Sequence, residues 1–141
     1  MRCESGLALI FEMMIVLAVP EVITDVTGNQ PMNATEIENL LDDTTSANPK
    51  TRRAALLQLC PCHIRNNVAR IWDRIIEMRT DENPGVRSIV LHNLCDGSPR
   101  ERESEVVAAV ELLANDSDHK IRRRARRALA AYRRTGQINV E

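Results

Sequence analysis

Apolar residues are distributed along this chain in two ways. Residues 7–19, LALIFEMMIVLAV, form one long apolar run broken only by Glu12. From residue 35 onward the apolar positions recur three and four apart, the period of a helix with one buried face. Ile37, Leu40 and Leu41 predict a short acidic helix over residues 35–43. Ala55, Leu56 and Leu59 predict a second, capped by Ser46 or Asn48, opened by Pro49 and stopped by Cys60, Pro61 and Cys62. Val68, Ile71, Trp72, Ile75, Ile76 and Met78 predict a third, from about Arg65 to Arg79. Its apolar face is wide enough to touch two neighbours.

The pattern then repeats. Asn48–Leu59 reads NPKTRRAALLQL, Asn83–Leu94 reads NPGVRSIVLHNL, and Asp118–Leu129 reads DHKIRRRARRAL, each 35 residues after the last. The same offset carries Ile71 to Val106, Ile75 to Val110, Met78 to Leu113 and Asp81 to Asp116. It aligns Arg52, Arg87 and Arg122, then Leu59, Leu94 and Leu129. Subtracting it from Trp72 and Ile75 gives Ile37 and Leu40, so the acidic helix is the second half of an incomplete pair. A fixed period of this length predicts stacked helical pairs. The expected fold is therefore all-α: a short right-handed α-α superhelix with two full pairs and a half pair at each end. Residues 34–135 form the repeat domain, 1–33 an apolar segment and loop, and 136–141 a tail.

The turn proline, Val-Arg and spaced leucines of NPGVRSIVLHNL resemble the first helix of a HEAT repeat, and the turns TDENP and NDSDH fit the same pattern. The resemblance covers about residues 35–134. The strings CPC, WDRI, LCDGSP and YRRTG are similar to those of small bacterial HEAT-repeat proteins without an assigned activity. The resemblance implies an armadillo-like solenoid that works by binding: a non-enzymatic protein-interaction or scaffold module with no catalytic residue and no cofactor. It also implies a buried Asp–Arg ladder, in which Arg52, Arg87 and Arg122 meet the acids of neighbouring turns, Asp81 and Glu82 or Asp116 and Asp118. The third copy departs from the pattern. Arg124 and Arg126 stand where Ile89 and Leu91 are apolar, as a capping helix with a wet outer side requires.

Composition adds limits. One Phe, one Trp and one Tyr argue against a β-sandwich or barrel. The net charge of −1 hides an acidic lead, with one Arg against eight acids in residues 1–48, followed by a basic body. Four cysteines without other marks of a disulfide scaffold read as reduced thiols, hence a cytoplasmic protein. The run 7–19 is too short for a bilayer span, which needs about 20 residues, so no stable membrane anchor is expected. It resembles a signal-peptide core with Val16 and Ala18 placed for cleavage, although Glu12 and the weak flanking charge oppose that. A helix docked on the repeat end and a non-native extension are the other readings. The sequons at Asn33 and Asn115 matter only in a secreted chain.

Three constellations could carry function. The second helices offer Arg70, Arg74 and Glu77 as contacts for an unknown protein partner. Arg122, Arg123, Arg124, Arg126, Arg127, Arg133 and Arg134 cluster on the last helix, as nucleic-acid binding through phosphates would need. A charged, solvated cap is the competing reading, and the lack of aromatic stacking partners weakens single-strand binding. Cys60, Cys62 and Cys95, with His63 or His92, suggest a metal or redox site. Their C-x-C and H-x-x-C spacings fall short of a doubled C-x-x-C, and core packing competes. Helix carboxyl ends at Cys60 and Cys95 disfavour reactive thiolates. No Gly-rich phosphate loop, HExxH or nucleophile elbow is present. Asp73 and Glu77 interleave with Arg70 and Arg74 as ordinary surface pairs.

Overall fold

The computed structural model describes residues 32–64 and 68–139. Among them are six α-helices and no strand: α1 (Ala34–Asp43), α2 (Pro49–Gln58), α3 (Ala69–Glu77), α4 (Pro84–Cys95), α5 (Glu103–Leu113) and α6 (His119–Thr135). The chain is all-helical over this span, as expected. The apolar run 7–19, Cys3 and the expected start of the third helix at Arg65 lie outside the described residues. No described helix is long and apolar enough to cross a membrane.

Local chemistry sets the helix starts. Asn33 and Glu36 form a reciprocal capping box, each side chain accepting the other's backbone N–H at 2.9 Å. Asn48, rather than Ser46, caps α2 by accepting from the Lys50 amide. Asn83 and Asp118 cap α4 and α6 in the same way. Pro49 and Pro84 occupy first-turn positions, where no N–H is needed. Gly136, with φ of 69°, ends α6 in a left-handed cap that its missing Cβ makes cheap.

The helices pack in two rows. In one row α4 lies between α2 and α6; α1, α3 and α5 pack against α2, α4 and α6 in turn, and α3 touches α5. The middle helix is the most enclosed: α4 buries six of its twelve residues, against three of ten in α2. Leu56, Ile75, Val90, Leu94 and Val110 lose all contact with solvent. Each such side chain stabilises the fold by about 1.5–3 kcal/mol.

The aligned arginines fasten the turns. Arg52 donates to both carboxylate oxygens of Asp81 at 2.8 and 2.9 Å and to the carbonyls of Ser46 and Ala47. Arg87 repeats this with Asp116 at 2.7 and 2.8 Å and the carbonyls of Asp81 and Glu82. Arg122 makes the carbonyl half alone, to Asp116 and Ser117. Burial works to raise the Asp81 carboxyl, but hydrogen bonds from Arg52 and the Asn83 amide outweigh it and hold it below the ordinary range. Asp116 is held low chiefly by its hydrogen bond from Arg87.

The described part of the tail is not loose. Ile138 is buried, and the Asn139 side chain accepts from the Ser98 amide at 3.0 Å and donates to the Ser98 carbonyl at 3.1 Å. Nothing in the sequence pattern marked this docking.

Candidate functional site

The most concentrated chemistry lies where α2 and α4 end. Beyond Gln58 the α2 ladder tightens, and the Cys60 amide bonds the Leu57 carbonyl. The Leu56 carbonyl instead accepts the buried Asn93 amide of α4 at 2.8 Å. The chain then turns sharply, with the His63 and Ile64 amides donating to the Cys60 carbonyl. Gly97, at φ of 147°, lets the chain after α4 pass close by: a Cβ there would meet Pro61 at 3.3 Å. His92 and Asp96, one helical turn apart, face the same way.

This arrangement gathers three donor atoms. Cys60 Sγ lies 3.2 Å from Asp96 Oδ2 and 3.6 Å from His92 Nε2, and the latter two are 3.9 Å apart. Four ligands at about 2.0–2.3 Å from a tetrahedral zinc are separated by roughly 3.3–3.8 Å from one another. The triad is therefore close to the shape such an ion needs. Cys62 Sγ is 2.6 Å from Cys60 Sγ, closer than two ligands of one ion sit. It would have to swing by about 1 Å to become a fourth ligand. Its exposed place in a turn leaves room for that.

Charge favours a cation here. The carboxyl ends of α2 and α4 meet at the site, and each carries partial negative charge. Asp96 adds a full one. Burial pushes the Cys60 thiol far above its usual range, and its contacts with Cys62 and Asp96 add to this. Without a cation Cys60 is thus a protonated, sluggish thiol, which disfavours a nucleophilic or redox role.

Of the metal candidates read from the sequence, Cys60 and His92 belong to the three-donor group, and Cys62 lies beside Cys60 alone. His63 and Cys95 fall outside the three-donor group; His63 is exposed, and Cys95 is buried in the core. Asp96 was missed, although its spacing from His92 could have revealed it. Asn93 was missed because an amide on an apolar face gives no periodic signal.

One repeat length further on, Cys60, His92 and Asp96 correspond to Cys95, Arg127 and Ala131. All three line a cavity of about 450 Å³ between α4 and α6, with Leu91, Arg124 and Arg134. The expected seven-arginine surface is in fact divided. Arg122 is bound to turn carbonyls, Arg126 donates to the Ala114 carbonyl at 2.9 Å, and Arg126 and Arg133 border a different cavity beside Glu111. The expected partner contacts are engaged within the molecule. Arg70 pairs with Glu38. Arg74 bonds the buried Thr44 hydroxyl at 2.7 Å and pairs with Glu77.

No protein-family model, no curated protein and no solved structure matches the chain.

Proposed function

We propose that this chain is a short HEAT-type solenoid, two full helix pairs with a half pair at each end, that acts by binding and not by catalysis. The recurrence of the arginine–turn contacts at a spacing of 35 residues supports the solenoid reading. The ligand its described surface fits best is a divalent cation of the zinc class. One observation carries this: Cys60 Sγ, His92 Nε2 and an Asp96 oxygen all lie within 4.8 Å of one another. Thiolate with imidazole selects zinc-like ions over magnesium or calcium, which take oxygen ligands. The ion would clasp the α2 turn to the end of α4, with Cys62 closing the shell. Such a clasp stiffens a scaffold, and a reducing, cytoplasmic setting keeps its thiols available. A protein partner remains the natural recipient of that stiffened surface.

The test is cobalt substitution of chelator-stripped protein. We expect one Co²⁺ per chain, with a thiolate-to-metal charge-transfer band and the strong visible absorption of tetrahedral cobalt. Cys60→Ser should remove the band and Asp96→Asn should weaken binding. Protein that binds no Co²⁺, or binds it equally well after both substitutions, would disprove the site.

A further inference from the structure

The α4–α6 cavity is the counterpart, one repeat length on, of the proposed cation site, with its chemistry inverted. Cys60 is matched by Cys95, but the imidazole of His92 is replaced by the Arg127 guanidinium and the Asp96 carboxylate by the Ala131 methyl. Arg124 and Arg134 complete a cationic rim over an apolar floor of Leu91 and Ala131. Arginines with structural work in this molecule have partners: Arg52 and Arg87 each hold an aspartate with two hydrogen bonds. Among the described residues no carboxylate pairs with Arg124, Arg127 or Arg134. Arg124 reaches only the Ser88 hydroxyl, at 3.4 Å.

We infer that this cavity binds the phosphate monoester of a small molecule, its phosphoryl oxygens held by Arg124, Arg127 and Arg134 and its body resting on the apolar floor. Guanidinium groups match phosphate oxygens in bidentate geometry, and three of them suit a dianion better than a carboxylate. The volume of about 450 Å³ lies within the range of small-molecule sites. Arg126 and Arg133 border a different cavity, which counts against an extended nucleic-acid track along α6. The inference is independent of the metal clasp.

Calorimetric titration with phenyl phosphate and with inorganic phosphate, at low ionic strength and with chelator present, tests it. Phenyl phosphate should bind the more tightly, because it alone covers the floor. Arg127→Gln with Arg134→Gln should weaken it by about tenfold or more, while Arg123→Gln, on the exposed side of α6, leaves it unchanged. Ala131→Leu narrows the floor without altering charge, so it should weaken phenyl phosphate more than inorganic phosphate. That variant decides the matter if the double variant fails to fold. The inference is overturned if phenyl phosphate does not bind, or if Arg123→Gln weakens it as much as the double substitution. It is equally overturned if a single-stranded oligonucleotide binds more tightly and depends on Arg123 and Arg133.

Discussion

At the α2–α4 and α4–α6 junctions the helix starts are fastened by one device, an arginine that grips the carbonyls behind it and the aspartate ahead of it. At the helix ends the two junctions part. The first is drawn together by the Asn93–Leu56 bond and lined with soft and acidic donors. At the equivalent of Asn93 the second has Ala128, which lines a cavity instead of making a bond. A repeat can thus conserve the contacts that set its geometry and still present opposite chemistry at successive junctions, because fastening and lining come from opposite ends of the same helices.

The sharpest way to break this comparison is at the shared device. Arg87→Ala leaves Asp116 buried without its partner and should cost about 3–5 kcal/mol in urea melts. Arg122→Ala, which loses only carbonyl contacts, should cost about 1 kcal/mol. Equal losses would mean that the aspartate contributes nothing. The next effect lies at the proposed cation site, where Cys60→Ser should reduce zinc affinity by more than about a hundredfold, or roughly 2.7 kcal/mol. Competition with a chromophoric chelator measures it. Asn93→Ala should follow at about 1–3 kcal/mol, since it orphans the buried Leu56 carbonyl. It should also loosen zinc binding by shifting the α2 turn, whereas Ala128→Ser, at the second junction, should leave zinc untouched.

The last comparison is the acid response. Asp81 and Asp116 have folded pKa values below those of the unfolded chain. Their contribution is fully present above about pH 4, the ordinary carboxylate value, and is lost as the pH falls through their lower folded values. Each unit of depression is worth about 1.4 kcal/mol. Stability that stayed flat from pH 5 to about pH 2 would contradict the pairing.

The sequence made some of this legible and not the rest. The arginine–aspartate contacts were legible through the resemblance of the repeated segment to a HEAT helix, which implies that Arg52 and Arg87 meet the acids of neighbouring turns. Cys60 and His92 were readable because the repeat places their helix ends side by side. Asp96 was not, because a carboxylate just past a helix looks like any solvated turn residue. The division of the α6 arginines was hidden as well. Periodicity tells which side of a helix a residue occupies, but not that the Ala114 carbonyl waits beside Arg126 while a cavity opens beside Arg127.

The docking of Asn139 on Ser98 has a consequence for how the molecule breathes. The turn that carries Asp96 is latched by three hydrogen bonds between Ser98 and Asn139, 41 residues away in sequence. Amide hydrogen exchange at Ser98 should therefore report fraying of that segment, and fraying should come before any opening of α4 itself. A protease that cuts the chain after Gly136 would then free the turn that carries Asp96 while leaving the helices intact, so such a cut would weaken the proposed cation site before it weakened the fold.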